Sequence, residues 1–274
     1  MIYNASGHVG TEYPLSHPRF CFHKWPATVT ATNSAPGADP AWLDDGETWS
    51  QWMANASGVS VTLDFGASRA ISYVGIAAHT LDLAGSTIAL QIDTGSGFAN
   101  VNGLTGIQPP DDSAILFLLS PVNVTGVRLV VTGSEAPAIA VMQAGLAMEL
   151  PRMATYTALP ISESEQVTLR HTQSVRGQVL GTTVEAAELS FSIDVANLPE
   201  TWRAAAGVAS WKVLTAHTRA GRSLFVASRP IGQMQYFDDV AFGVARERPR
   251  FNRAAPNALI SGEVSLQFLG YKRP

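Results

Sequence analysis

VSVTLDFGASRAISYVGIAAH, residues 59–79, changes its pattern at Gly66. Before the glycine, Val59, Val61, Leu63 and Phe65 alternate with Ser60, Thr62 and Asp64. That period of two marks a half-buried strand, because successive side chains leave a strand on opposite faces. After it, ISYVGIA is almost continuously apolar and reads as a second strand, with Gly66-Ala67-Ser68 as the turn between them. The stretch ends on His79. A histidine at a strand end, in a chain with neither an HxH nor an HExxH pair, is expected to anchor a loop by hydrogen bonds rather than to catalyse.

The same pattern continues around this stretch. In TIALQID, Ile88, Leu90 and Ile92 point inward; ILFLL, VRLVV and AIAVMQAGLAMEL follow. TGSG, GLTG, PPDD and TGSEAP separate them and supply turn residues. Residues 1–151 therefore read as a jelly-roll β-sandwich. Residues 152–274 begin with VTLRH and ELSFSIDV, in which Leu189, Phe191, Ile193 and Val195 share a face. NLPETWRAAAGVASWKVLTAHTRAG then predicts one helix near 198–220, with Asn197 as its cap and Glu200 completing a capping box. Its apolar stripe is Trp202, Ala205, Ala206, Ala209, Val213 and Leu214, and Gly221 ends it. Strands resume at SLFVAS, DVAFGV and EVSLQFLGY. The expected fold is mainly β: an N-terminal jelly roll, then a C-terminal β-rich sandwich or barrel with one α-helix.

Composition narrows the function classes. Of 274 residues, 46% are hydrophobic and only 15% charged, which suits a subunit that buries surface on partners. The net charge of −4 gives no argument for nucleic acid. The single cysteine, Cys21 between Phe20 and Phe22, excludes an intramolecular disulfide framework and reads as a small buried hydrophobe. No apolar run approaches the ~18 residues of a membrane helix. The N-terminus has neither a basic n-region nor an apolar h-region, so synthesis in the cytosol and no membrane insertion are expected.

No G-x-S-x-G elbow, P-loop or G-x-G-x-x-G occurs. The acidic pairs Asp44-Asp45, Asp111-Asp112 and Asp238-Asp239 suggest carboxylate chemistry or Ca²⁺, but adjacent strand residues point apart and aspartate is an ordinary turn residue. Arg246, Arg248, Arg250 and Arg253 read as a solvated loop or a subunit contact. Trp25, Trp42, Trp49 and Trp52 cluster early; tryptophans stack on sugar rings and also fill cores. No enzymatic activity is expected.

WLDDGETWSQWMANASGVSVTLDFGASRAISYVGI resembles a discoidin-type (F5/8 type C) galactose-binding-like domain. The residues that carry the likeness are Asp45, Gly46, Thr48 or Ser50, Trp52, Asp64, Phe65 and Gly66. The resemblance implies an eight-stranded jelly roll that binds glycans or lipid head groups through loops at one end, with a structural Ca²⁺ near Asp45. The loops bearing Asp44, Asp45, Trp49, Trp52 and His79 are then the expected ligand site. A second resemblance covers more of the chain. YVGIAAHTLDLAGSTIALQ and PPDDSAILFLL, then LPETWRA, SLFVASRP, DDVAFG and SLQFLGY, look like tail-tip or baseplate structural proteins of tailed bacteriophages. That resemblance implies a virion protein assembled in the host cytoplasm, self-associating and contacting other phage tail proteins. A carbohydrate-binding module for host-surface glycans is the alternative.

Overall fold

The computed structural model describes residues 1–154, 161, 164–230, 239–253 and 261–271. Asp238 lies outside them. The first sheet is built from β1 (Ile2–Asn4), β3 (Thr28–Ala31), β4 (Trp52–Met53), β5 (Val59–His79), β6 (Thr87–Asp93), β7 (Phe98–Asn100), β8 (Ile115–Thr132) and β9 (Ala138–Gly145). β2 (Arg19–Cys21) and β10 (Met148–Glu149) belong to the second sheet. That sheet continues with β11 (Glu165–Gln173), β12 (Val179–Pro199), β13 (Leu224–Ala227), β14 (Val240–Ala245), β15 (Arg250–Arg253) and β16 (Ser261–Gly270).

The stretch 59–79 is one bent strand rather than a hairpin. Asp64 pairs with Gly126 and Arg69 with Val124, so four residues of β5 face the single Thr125 of β8. Gly66, at φ +65, makes the bend, and its N–H is taken by the Asp64 carboxylate at 2.8 Å. β8 bends in turn, with residues 119–121 facing Ser72. The first limb of β5 lies between β3 and β8, and its second limb between β8 and β9. Val61 and Leu63 from one limb meet Ile71, Val74 and Ile76 from the other in one core. The bent sheet thus folds over on itself as a sandwich, the expected jelly roll.

The bend also explains the change in pattern. The first limb has one buried face, so its residues alternate. In the second limb Ile71, Val74 and Ile76 face the jelly-roll core, whereas Tyr73, Ala77 and Ala78 face the second sheet. Those residues meet Phe225, Ala227, Val240 and Phe242 in a separate apolar layer. With both faces covered, the limb is apolar throughout. Gly75 sits in this layer; a Cβ there would lie 2.5 Å from the Phe225 ring.

The second sheet runs β10-β2-β13-β14-β16-β12-β11, with β15 on β16. Two of its strands precede residue 151: β2 and β10 bring Phe20, Phe22, Met148 and Leu150 into its core. The helical segment expected over 198–220 divides into α1 (Glu200–Ala204) and α2 (Trp211–Arg219). Ala205 has extended ψ and Gly207 lies at φ +144, which stops the first helix. The capping box does not form. Asn197 sits at φ +58, the N-cap is Pro199, and Glu200 pairs with Arg203. Of the expected stripe only Leu214 is buried; Ala205, Ala206 and Val213 are exposed, and Trp211 takes the place of Val213 against the sheet, because the break at Ala205–Gly207 resets the helical phase. Gly221, at φ +67, follows the end of α2 as expected.

Candidate functional site

The Asp44-Asp45 loop is shaped by a short 3-10 turn, Pro40–Asp44. The Asp39 carboxylate caps it by accepting the Ala41 N–H at 2.9 Å. Leu43 is fully buried and plugs the jelly-roll core; Asp44 beside it is half-buried, and Asp45 is exposed. Asp45 accepts the Glu47 N–H at 2.7 Å and the Ser50 hydroxyl at 2.6 Å. These bonds close the loop around Gly46, at φ +82, and throw Trp49 outward, 82% exposed, with its indole N–H on Glu47 at 3.2 Å. Lys24 bonds the Asp44 carbonyl and holds its carboxylate at 2.8 Å.

This loop forms one wall of an open cleft of about 810 Å³. The opposite wall is α2 and the chain after it, which contribute His217 and Arg222; Tyr271 and Phe22 add aromatic surface. The Ser223 hydroxyl donates to the Gly46 carbonyl at 2.9 Å and ties the two walls together. His217 donates its Nε2–H to the Ser223 carbonyl at 2.8 Å and packs on Phe22. Burial pushes the His217 and His23 imidazoles below the usual histidine value. Burial also raises the Asp44 carboxyl, outweighing the opposite pull of Lys24. Titrating groups perturbed around one concavity are a mark of functional sites.

Of the residues expected at the site, Asp44, Asp45 and Trp49 share this loop, while Trp52 and His79 are corrections. Trp52 is fully buried, its indole N–H bonded to Ser34 Oγ at 2.8 Å. As the inward member of a tryptophan pair three residues apart, it fills the core. His79 is also fully buried. Its Nε2–H donates to the Ser113 carbonyl at 2.8 Å, and its Nδ1 accepts the Leu81 N–H at 3.3 Å. It anchors the loops following β5 and preceding β8, and presents nothing to a ligand. Lys24, Glu47, His217, Arg222 and Tyr271 escaped the sequence reading. Spacing carries no signal for a wall assembled from residues nearly 200 positions apart.

Of the remaining paired acids, Asp111, Asp112 and Asp239 do turn and framework work, and Asp238 lies outside the described residues. Asp111 accepts the Ser113 N–H at 2.7 Å and Asp112 the Asp82 N–H at 3.0 Å. Asp239, buried, accepts the Ile161 N–H at 2.9 Å and faces Arg229 at 3.2 Å. Arg246, Arg248 and Arg250 are exposed.

The loop does not fit the Ca²⁺ implied by the discoidin resemblance. Calcium takes roughly six to eight oxygen ligands. Here a lysine ammonium occupies Asp44, and both Asp45 oxygens already accept chain donors. Among the described residues no group of three or more His, Cys, Asp or Glu side chains is disposed to hold a metal. Adding Ca²⁺ or EDTA should therefore leave the melting temperature unmoved; a rise that grows with Ca²⁺ concentration would show a native-state site.

The chain matches no protein-family model and no curated protein. Among solved structures it is similar to a pectin-binding carbohydrate-binding module at 18% identity, over 44% of this chain and 91% of that one, with a TM-score of 0.38. It is similar to the CBM32 of AlyQ in complex with 4,5-unsaturated mannuronic acid, at 18% identity over 44% and 97%, TM-score 0.37. A Clostridium perfringens module, CpGH89CBM32-5, in complex with GalNAc-β-1,3-galactose, gives 18% over 45% and 99%, TM-score 0.38. These neighbours lend no support to the tail-protein resemblance. Scores this low carry no argument about ligand or activity, and the jelly-roll assignment stands on the strand pairing itself.

Proposed function

We propose that this chain is a glycan-binding protein whose sugar site is the cleft between the Asp44–Ser50 loop and α2. The observation that carries the reading is Trp49, 82% exposed and hydrogen-bonded to a residue of the cleft wall. An indole face held in water beside a polar cleft suits the apolar C–H face of a pyranose. Glu47, Arg222 and Lys24 supply the acceptor and donors that sugar hydroxyls require. The reading is of binding rather than turnover. Asp45 and Glu47 are the acids among the described lining residues. Both Asp45 oxygens are committed within the loop, whereas glycoside hydrolysis needs two carboxyl groups across the bond. In a glycan array followed by titration, Trp49→Ala should weaken binding about tenfold or more without changing the melting temperature. Undiminished binding by Trp49→Ala would sink this assignment.

A second reading, resting on the sequence resemblance alone, is a subunit of a phage tail tip located in the virion and contacting other tail proteins; it would need an apolar surface to bury on a neighbour. The ribbon formed by β11 and the first part of β12 exposes Val167, Leu169, Val179 and Val184. Antibody labelling of purified particles tests it; absence of this chain from them rules it out.

A further inference from the structure

We infer that the β11 edge is a self-association surface, and that it pairs antiparallel with β11 of a second copy about a two-fold axis at Leu169. This inference is independent of the glycan reading. β11 and Val179–Glu185 form a two-stranded ribbon, with Leu169 opposite Val184, Arg170 opposite Thr183 and His171 opposite Thr182. Every residue of β11 is exposed, and the strand ends the sheet order, so among the described residues no strand pairs with its outer edge. A two-stranded ribbon is marginal alone in water. A nine-residue edge with neither lysine nor proline also lacks two common protections against pairing with another chain.

The ribbon is amphipathic. Val167 and Leu169 share one face of β11, where Val184 lies beside Leu169 and Val179 beside Gln173; Thr168, Arg170 and Thr172 lie on the other. Val167, Leu169, Val179 and Val184 are 46–60% exposed, which leaves an apolar face uncovered.

A second copy is the occupant that this pattern fits. The chain carries a net −4, but residues 165–185 carry Glu165 and Glu185 against Arg170 and Arg176 and balance. Two ribbons therefore approach without net repulsion. Antiparallel pairing centred on Leu169 sets Glu165 against Gln173, Val167 against His171 and Thr168 against Arg170, so no like charges face one another. The two Leu169 side chains meet at the axis. Val184, Leu169 and their two counterparts then form one apolar row across four strands, the cross-strand arrangement that stabilises sheets. Self-complementary pairing of this kind closes as a dimer.

The 274-residue chain should sediment as a dimer across the micromolar range, and Leu169→Lys, which places two ammonium groups on the axis, should weaken association at least tenfold. Mild oxidation of Leu169→Cys should give a disulfide-linked dimer on a non-reducing gel. Gln173→Cys is the control, since its two copies lie about 27 Å apart in this register (eight residues at about 3.4 Å each). Cys21 does not compete, because it is fully buried and burial pushes its thiol pKa well up. The cysteine pair keeps the test decisive even where Leu169→Lys folds poorly. A monomer throughout that range overturns the inference and leaves the ribbon to a different protein. So does an oligomer in which Leu169→Cys cross-links no better than Gln173→Cys.

Discussion

Glu149→Ala is expected to lower the unfolding free energy by about 3–5 kcal/mol, read as a lower urea midpoint with an unchanged slope. Arg19 is only 1% exposed, and its guanidinium lies 3.3 Å from Glu149. It donates to the Tyr13 carbonyl at 2.6 Å, the Pro14 carbonyl at 3.1 Å and the His17 carbonyl at 2.9 Å. Glu149 in turn accepts the N–H groups of Thr11, Glu12 and Tyr13 at 3.3, 2.9 and 2.9 Å. The pair therefore holds the segment from Thr11 to His17 against β2 and β10. Removing the carboxylate leaves a buried cation without its counter-charge, which is the costly defect; the exposed Thr11 and Glu12 N–H groups pass to water and the part-buried Tyr13 N–H loses its acceptor. Replacing both partners together, Arg19→Met with Glu149→Leu, should cost less than the single change, because no charge is then stranded. A loss below about 1 kcal/mol for Glu149→Ala would mean that water reaches Arg19 readily and that the pair is effectively a surface one.

Phe225→Ala is expected to cost about 3–5 kcal/mol and to weaken glycan binding with it. Phe225 is fully buried between Gly75 of the first sheet and Phe242 of the second, with ring centroids 4.6 Å apart. It belongs to the layer that joins the two sheets, so the loss is felt at the joint rather than within one core. Both walls of the cleft hang from that joint: the Asp44–Ser50 loop on the first sheet, and Ser223 one residue before β13 on the second. Gly75→Ala tests the same contact from the other side. Its new Cβ would sit 2.5 Å from the Phe225 ring, and overpacking of this kind costs about 1–3 kcal/mol. In a Phe225→Ala background most of that cost should vanish, because the atom it would strike has gone. Strict additivity of the two changes in chemical denaturation would show that this joint is looser than described.

What the sequence determined by itself is local. Alternation in Val59–Phe65 and Thr87–Asp93 specified strands and their inward faces, because the pleat has a period of two wherever it occurs. The nearly continuous apolar run ISYVGIA marked a strand; that both its faces are covered emerged only from the packing. Gly221 marked the end of a helix. For His79 the sequence offered two roles, a loop anchor and a ligand-site residue, and only the anchor agrees with its burial and hydrogen bonds.

Tertiary structure decided the rest. Gly66-Ala67-Ser68 bends one strand instead of reversing the chain, because β8 continues beside it on both sides of the bend. Gly207 and the extended backbone at Ala205 split the expected helix, although its apolar stripe read as continuous. Trp49 and Trp52 look equivalent in the sequence. One is 82% exposed and the other fully buried, because the Asp45–Ser50 hydrogen bond closes the loop that carries Trp49 outward, whereas Trp52 lies in β4, paired with Ile139, and enters the core. The cleft combines a loop at residues 44–50 with His217 and Arg222, and a hydrogen bond from Ser223 holds its walls together. Pattern reading sees a few residues at a time, whereas the packing of one sheet on the other brings together groups such as Gly46 and Ser223, 177 positions apart.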